Sequence, residues 1–253
     1  MLSEERRRRI LELLELRGRV VVRELARRFA TSQITIRKDL EQLHRQGRIQ
    51  RAHGGALPVE APAVQDPTLH EKERLHRREK LRIAAAAARL VHPGQVIIFD
   101  SGTTSTAVAR ATRHVRNLTV ITNAVNIAAE LAGTDVEVIL TGGILRKNSF
   151  SLVGPLAEDW LRHITADLLF LAVDGFDIEY GLTTPNLLEA KVNRVMIESA
   201  KTTVVVCDSS KFGRRSLSLI APTSAVRQTI TDDKIPAKYL RGLREVGIKV
   251  TTV

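Results

Sequence analysis

Residues 96–105 read Val96-Ile97-Ile98-Phe99-Asp100-Ser101-Gly102-Thr103-Thr104-Ser105, and this stretch decides the fold. Four apolar residues predict a buried strand, and the small polar residues after them predict a turn that opens a helix. Six more apolar runs of this kind follow, at 118–121, 136–140, 168–173, 203–207, 228–231 and 248–253. The segments between the runs are mostly helical by composition and spacing. The pattern predicts an α/β domain with a mainly parallel sheet.

The loop after the first strand, Asp100–Ser105, is the first candidate for a ligand site, because parallel sheets bind ligands at the carboxyl ends of their strands. A small, hydroxyl-rich loop at a helix N-terminus presents backbone N–H groups and the positive end of the helix dipole to an anion. The spacings of a Walker loop and of a dinucleotide fingerprint are both absent. A phosphate monoester fits this loop, and an ordinary capped turn is the alternative.

Polar or glycine residues also follow the next four strands. They are Asn123, Gly142 and Gly143, Asp174 and Gly175, and Lys211. The glycines allow close backbone approach, Asp174 is suited to sugar hydroxyls or an amine, and Lys211 to a phosphate. Each ending alone is commonly a structural turn. Because the strand ends of one sheet converge, we expect them to line one crevice.

The first 57 residues predict a winged helix-turn-helix. Ser3 can cap a helix through residue 17, and a short helix at residues 23–29 precedes a tight turn. Ser32 then caps a third helix, roughly Gln33–Gln46, which Gly47 ends. Within it Ile36, Leu40 and Leu43 have helical spacing and must point inward. Two helices joined by such a turn are typical of a unit that enters the major groove of DNA.

The outward face of the third helix carries the candidate DNA contacts. They are Ser32, Gln33, Ile34, Thr35, Arg37 and Lys38. An outward isoleucine is unusual on a solvated helix, but beside DNA it can pack on a thymine methyl group. In residues 48–57, Ile49, Arg51 and His53 stand at alternate positions, as in a strand, and Gly54-Gly55 suits a turn. The segment therefore predicts a β-wing. Arg51 and His53 of this wing are candidates for phosphate or minor-groove contacts, and a surface loop histidine is the alternative for His53.

The charge is concentrated in this first segment. Residues 1–57 hold 14 of the 39 Lys and Arg residues and 7 of the 28 Asp and Glu residues, a net charge of +7. The remaining 25 basic and 21 acidic residues give +4 of the total +11. A compact basic segment indicates nucleic acid as a partner, and a solvated surface is the alternative.

Three ordered blocks, Glu24-Leu25, Thr35–Leu40 and Arg51–Ala56, resemble the signature of the DeoR family of bacterial sugar regulators. The strand-end blocks resemble the sensor domain of that family, which is similar to ribose-5-phosphate isomerases and sugar-phosphate deaminases. The resemblance covers essentially the whole chain. It implies an α/β fold class, an N-terminal winged helix-turn-helix plus a C-terminal Rossmann-like sensor domain resembling ribose-5-phosphate isomerase.

The resemblance also implies which residues contact the effector. Carried over by motif, the phosphate loop is Asp100–Ser105, and the sugar-contacting candidates are Asn123, Asp174, Glu189 and Lys211. Residues 181–194 look most like regulators of N-acetylgalactosamine and related amino-sugar use.

The implied function is a DNA-binding repressor of carbohydrate-metabolism genes that a phosphorylated sugar or amino sugar releases from operator DNA. A homodimer or homotetramer is implied as well. We assign residues 1–57 to the DNA-binding domain, the proline-containing residues 58–72 to a linker, and residues 73–253 to the effector-binding domain.

Two other functions are open to this chain. The first is an aldose–ketose isomerase with a DNA-binding arm, but the Lys-Gly-Gly-Gly block of the isomerases is replaced here by residues 179–184, so we expect no enzyme activity. The second is an architectural DNA binder with a vestigial α/β domain, which metabolite-dependent release from DNA would distinguish.

We expect no metal and no cofactor. The seven histidines form no cluster with ligand spacing, and the single cysteine, Cys207, lies in an apolar run typical of a buried strand. There is no apolar run of membrane-spanning length and no signal-peptide core, so a cytoplasmic protein without membrane partners is expected.

Overall fold

The computed structural model describes residues 3–52, 54–58 and 66–253, without the side chains of residues 15–17 and 58. The chain divides into two compact units, Met1–Pro62 and Ala63–Val253. Each unit is described by itself. The candidate DNA contact His53 lies outside the described residues.

The first unit consists of three helices and a small antiparallel sheet. Its elements are α1 (Ser3–Arg17), β1 (Val20–Val21), α2 (Val22–Arg28), α3 (Gln33–Arg45), β2 (Ile49–Ala52) and β3 (Gly55–Pro58). The sheet order is β1-β3-β2. Gly55 lies so close to the backbone carbonyl of Val20 that a Cβ atom would overlap it, which explains the glycine. The winged helix-turn-helix that the sequence predicts is confirmed.

The start and the inner face of α3 also follow the sequence. The Ser32 hydroxyl accepts a hydrogen bond from the backbone N–H of Thr35 at 3.1 Å and caps the helix. Ile36, Leu40 and Leu43 are fully buried in the core of this unit. Because these three residues fix the rotation of the helix, its opposite face is turned to solvent.

The second unit alternates strands and helices. In chain order its elements are α4 (Leu69–Arg74), α5 (Arg77–Ala88), β4 (Val96–Phe99), α6 (Thr103–Thr112), β5 (Thr119–Thr122), α7 (Val125–Leu131), β6 (Glu137–Leu140), β7 (Ile144–Arg146), β8 (Ser151–Val153), α8 (Pro155–Leu161), β9 (Ala166–Leu171), β10 (Gly175–Asp177), β11 (Gly181–Thr184), α9 (Leu187–Glu198), β12 (Ala200–Val206), β13 (Ser218–Ala221), β14 (Gln228–Thr231), α10 (Ala237–Glu245) and β15 (Lys249–Thr252).

Seven strands form one parallel sheet in the order β15-β14-β12-β9-β4-β5-β6. They correspond to the seven apolar runs of the sequence. Ile97 and Phe99 of β4 enter the core on one face of the sheet, whereas Ile98 enters the core on the other. Both faces are therefore covered, as continuous apolar strands require. From β4 the chain builds one half of the sheet through β5 and β6, and from β9 it builds the other half. The strand order thus reverses between β4 and β9.

Two small antiparallel sheets lie in segments that the sequence indicated as mostly helical. One is the hairpin of β7 and β8, and the other has the order β10-β11-β13. That part of the prediction was wrong, because strands of three or four residues show too few alternations to reveal a period of two. Gly181 begins β11 with φ of 101°, which a residue with a side chain rarely adopts.

The segment before the main sheet also differs from the prediction of a linker that extends to residue 72. Thr68 and Glu71 form a capping box, so a helix already begins at Leu69. His76 has φ of 52°, a left-handed conformation that separates α4 from α5. Residues 66–72 therefore pack as part of the second unit. No helix in the described ranges has the length and apolar composition of a membrane span.

Candidate DNA interface and effector crevice

The candidate DNA-reading face is the exposed side of α3. Gln33, Ile34, Arg37 and Lys38 are exposed, and the Ile34 side chain is 64% accessible to solvent. Thr35 is half-buried, and its hydroxyl lies 2.9 Å from that of Ser32 in the helix cap. Ser32 and Thr35 thus hold the start of the helix in addition to lying on the candidate DNA-reading face. An apolar side chain at such exposure among basic ones suits a thymine methyl group between phosphates.

A nearly buried ion pair positions α3. Arg6 Nε of α1 donates to Asp39 Oδ2 at 2.5 Å, and both side chains are almost inaccessible to solvent. The sequence reasoning missed this pair because Asp39 lies in a charged run that reads as solvated surface. Its signal was position, since Asp39 lies three residues after Ile36, on the side of the helix that enters the core.

We expect Asp39→Ala to destabilise the first unit by about 2 kcal/mol, because it leaves the Arg6 guanidinium half-desolvated without its partner. Amide exchange of α3 in the full chain measures the change. Glu41→Ala is the matched control on the same helix, since Glu41 pairs with Arg45 at 3.4 Å in solvent and should contribute at most about 1 kcal/mol. Equal effects of the two substitutions would contradict the role of Asp39.

Arg51 is less exposed than the wing prediction suggests. It is half-buried and lies two residues after the buried Ile49 in β2. Both side chains therefore lie on the inner face of the hairpin. Within the described ranges its Nη1 atom is buried and has no hydrogen-bond partner. An unpaired buried donor is unfavourable, so a phosphate oxygen reached by this group would satisfy it.

The candidate effector crevice lies where the strand order reverses, between the carboxyl ends of β4 and β9. Gly102, after β4, lies so close to Ala172, after β9, that a Cβ atom on the glycine would overlap the alanine methyl. Residues 100–105 and Asp174 are thereby brought to the same edge of the sheet. Ligands of open parallel sheets bind at such a reversal.

Two residues of the predicted phosphate loop hold the loop itself. Asp100 is buried, and its Oδ1 accepts hydrogen bonds from the Ser105 hydroxyl and, at 3.3 Å, from the Gly102 N–H. Burial raises the pKa of the Asp100 carboxyl to about 7, although these hydrogen bonds oppose the rise. Thr103 and Thr104 begin α6, where backbone N–H groups have no partner within the helix. The candidate anion donors of the loop are therefore the backbone N–H groups of Thr103 and Thr104.

Asp174 is held by two lysines at the entrance of the crevice. Lys72 Nζ of α4 lies 2.8 Å from Oδ1 and 3.0 Å from Oδ2, and Lys211 Nζ lies 3.6 Å from Oδ1. Desolvation raises the pKa of Asp174, but the charges of Lys72 and Lys211 and the hydrogen bonds from Lys72 and Thr184 together outweigh it, so the pKa is lowered. Lys80 Nζ donates to the backbone carbonyl of Lys72 at 2.5 Å. Burial lowers the pKa of Lys80 to about 8, opposed by the charge of Asp208.

Glu189 joins the same network from α9. Its Oε1 lies 2.8 Å from Nη1 of Arg146 and accepts a hydrogen bond from the Ser151 hydroxyl at 3.0 Å. The Thr184 hydroxyl lies 3.4 Å both from Glu189 Oε2 and from Asp174 Oδ2. Asp174, Glu189 and Lys211, which the sequence singled out separately, are thus brought together.

The other predicted effector residues have partners within the protein. Asn123 Nδ2 donates to the Leu152 carbonyl at 3.1 Å, and its buried Oδ1 has no hydrogen-bond partner among the described residues. A Cβ on Gly142 would contact Leu156 at 2.8 Å, one on Gly143 would contact the Val153 carbonyl at 2.7 Å, and one on Gly175 would overlap Thr183 and Arg214. Protein atoms occupy the position of a Cβ at all three glycines, which gives each glycine a packing reason.

The sequence reasoning missed three cations of the crevice: Lys72, Lys80 and Arg146. A signal existed for Lys80 alone. It precedes Ile83, Ala84 and Ala87 by three, four and seven residues, so it occupies the buried face of α5. A lysine on such a face needs acceptors or anions nearby. Lys72 and Arg146 lie in segments without any period, and only the fold brings them to the crevice.

Two family models match the chain. The DeoR-like helix-turn-helix domain covers residues 6–61, and the DeoR C terminal sensor domain covers residues 75–233.

Curated relatives match over nearly the whole chain. A putative aga operon transcriptional repressor of Escherichia coli O157:H7 is 42% identical over 254 residues, which cover 99% of this chain and 94% of that protein. The HTH-type transcriptional regulator GlpR of Haloferax volcanii is 40% identical, with 99% and 98% covered. The glycerol-3-phosphate regulon repressor of Escherichia coli K12 is 32% identical, with 99% of each chain covered.

Solved structures are more distant. A ribose-5-phosphate isomerase in complex with phospho-erythronic acid is 13% identical, with 53% of each chain covered and a TM-score of 0.40. A translation initiation factor eIF-2B of Pyrococcus horikoshii OT3 is 16% identical, with 90% of this chain and 82% of that chain covered and a TM-score of 0.43.

Proposed function

Because the chain belongs to the DeoR family of transcriptional regulators, we propose that it represses carbohydrate genes until a phosphorylated sugar or amino sugar releases it from operator DNA. The proposed base contacts are Gln33, Ile34, Thr35 and Arg37, with Lys38 and Arg51 on phosphates. The proposed effector site is formed by Ser101–Thr104, Asp174, Glu189 and Lys211, with Asp100 and Ser105 holding the loop.

The observation that carries the effector proposal is the convergence at the strand-order reversal. Gly102, at the start of α6, packs against Ala172, two residues before Asp174, and the Asp174 carboxylate contacts Lys72 and Lys211. Backbone donors, ammonium groups and a carboxylate thus lie at the same strand ends. A sugar phosphate needs both chemistries. Its phosphate would accept hydrogen bonds from backbone N–H groups and ammonium groups. Its hydroxyls or amine would donate hydrogen bonds to Asp174 and Glu189.

We propose that the second unit is a sensor rather than an isomerase. The pKa of Asp174 and the contacts of Glu189 support this choice. A general base must be able to accept a proton near neutral pH. Lys72 and Lys211 lower the pKa of Asp174, which makes it a weaker base. Glu189 is engaged by Arg146 and Ser151. This arrangement favours binding over proton abstraction.

The test begins with selection of a preferred duplex from a random pool by the full-length protein. The complex is then titrated with amino-sugar and hexose phosphates, and release is followed by fluorescence anisotropy. We expect one class of phosphorylated sugar to release DNA and the matching unphosphorylated sugar to have no effect. Binding without any preference among duplexes would contradict the DNA half of the proposal, and retention of DNA under every phosphate would contradict the effector half.

Lys38→Ala is expected to weaken DNA binding at every sequence and to reduce the slope of log affinity against log salt by about 0.9, the loss of one phosphate contact. The salt dependence of affinity for preferred and random duplexes measures this. Arg45→Ala is the matched control, because Arg45 lies at the far end of α3 from the groove-facing start. An unchanged slope for Lys38→Ala would remove Lys38 from the phosphate contacts.

We propose a homodimer or homotetramer as the active form, because a helix-turn-helix acts in pairs on symmetric half-sites. Exposed apolar side chains around the edge strand β6 support it: Leu140, Ile144, Leu145 and Leu156. The contacts of Gly142 with Leu156 and of Gly154 with Ile144 place these residues side by side. Sedimentation of the full chain tests the assembly, and a monomer bound to a symmetric duplex would contradict it.

A further inference from the structure

The start of α4, the first helix of the second unit, is held by contacts with the turn between β7 and β8. Asp66, three residues before α4, forms an ion pair with Arg146 and accepts a hydrogen bond from Asn148 Nδ2 at 3.2 Å. The Leu69 N–H donates to the Asn148 carbonyl at 2.6 Å. The turn between β7 and β8 thus fixes one end of α4. The same Arg146 binds Glu189, so this tie belongs to the crevice network.

The middle of α4 is tied by Lys72, whose ammonium contacts both oxygens of Asp174. Lys211 approaches the same carboxylate, and Lys80 donates to the Lys72 carbonyl. Two ammonium groups therefore meet Asp174, and the ammonium of Lys80 is held nearby by the Lys72 carbonyl. A phosphate dianion is a stronger acceptor for them than a single carboxylate.

We propose that Lys72 is an effector-contact residue whose ammonium moves from Asp174 to the phosphate of the bound effector, and that α4 responds to this exchange. The inference rests on the proposed function and adds to it the residue that reports occupancy. Lys72 is suited to this role because α4 is the first helix after the boundary between the two units.

The exchange displaces α4 because tertiary contacts alone hold it in place. A helix of six residues is too short to be stable by itself in water. Its end is marked by the left-handed conformation of His76, where the chain can change direction without disturbing α5. On its other side Glu73 pairs with Arg110 of α6 at 3.5 Å, a partly exposed contact. A new position for the Lys72 ammonium therefore changes a contact that holds the middle of this helix.

The first experiment measures anion binding by the full-length protein without DNA, with inorganic phosphate and galactosamine 6-phosphate as probes. By calorimetry we expect Lys72→Met to weaken both probes about tenfold, because one charged hydrogen bond is lost. Lys72→Arg keeps the charge and is expected to retain most of the affinity. Asp174→Asn removes the competing carboxylate and is expected to tighten inorganic phosphate about tenfold.

Lys201→Met is the matched control. Lys201 Nζ pairs with Asp167 Oδ1 at 2.8 Å, and both residues lie near the amino ends of their strands, opposite the crevice. The Lys201–Asp167 pair is a lysine–aspartate ion pair like that of Lys72 and Asp174, but it lies away from the candidate effector site. We expect no change in the affinity for either probe.

The second experiment follows amide exchange of residues 69–76 with and without galactosamine 6-phosphate. In the wild type we expect the effector to change exchange in α4, and in Lys72→Met at saturating effector we expect that response to be lost. Wild-type affinity and an unchanged α4 response in Lys72→Met would overturn the inference, and so would weaker phosphate binding by Asp174→Asn. The proposed function would survive these results, because it fails only if the wild type ignores every sugar phosphate.

Discussion

Lys211→Met is expected to produce a repressor that binds operator DNA normally but needs about 100 times more effector for release. The ammonium of Lys211 lies at the crevice beside Asp174 and is the cation that follows β12. A hydrogen bond between charged groups contributes about 1.5–3 kcal/mol, and a tenfold change in affinity corresponds to about 1.4 kcal/mol. Methionine keeps most of the aliphatic stem, so packing changes little.

The measurement is the effector concentration that releases half of the bound DNA, together with DNA affinity in the absence of effector. Lys249→Met is the control, since Lys249 is exposed at the amino end of β15. Its half-release concentration should equal that of the wild type. A Lys211→Met protein that responds like the wild type would place the phosphate elsewhere.

Asp100→Asn is expected to remove a pH dependence of about 4 kcal/mol from the stability of the second unit. The carboxyl of Asp100 has a pKa of about 7 in the folded protein, against 3.8 as the ordinary value. A raised carboxyl pKa means that the folded state holds the proton more tightly than the unfolded state. Its contribution to stability is complete below pH 3.8 and is lost as the pH rises to about 7, at about 1.4 kcal/mol per pH unit.

Urea unfolding of wild type and Asp100→Asn between pH 4 and 7.5 measures this difference. Trp160, the only tryptophan of the chain, lies in α8, so its fluorescence reports the second unit. The free energy of unfolding of the wild type should fall relative to that of Asp100→Asn as the pH rises. Ser105→Ala keeps the carboxyl but removes a hydrogen bond that lowers its pKa, so the pH dependence should persist and extend to higher pH. Parallel curves for wild type and Asp100→Asn would show that Asp100 is not the titrating group.

The elements that could be predicted are those whose signal is local. The apolar run Val96–Phe99 and its six counterparts predict a buried sheet. A strand that is covered on both faces needs apolar residues on both, so its sequence is a continuous apolar run. Ser32 and the spacing of Ile36, Leu40 and Leu43 similarly define α3 and its orientation. Such signals need no knowledge of distant residues.

The parts that could not be predicted depend on contacts between distant segments. The contact of Lys72 with Asp174 requires that α4 lie beside the loop after β9, 102 residues later in the chain. Glycines 142, 143 and 175 read as ligand-facing, but only the fold shows which protein atoms occupy the space beside them. Asp39 reads as surface because its partner Arg6 is 33 residues away. Local pattern predicts the elements, and tertiary neighbours decide what each polar residue does.

The pairing of β4 with β9 has a consequence for how the protein folds during its synthesis. Phe99 lies beside Phe170, so the central ladder cannot close until some seventy further residues have left the ribosome. The first unit draws its whole core from residues 10–56. A nascent chain thus completes its helix-turn-helix unit well before its sensor domain, and the interval is set by the order of the strands.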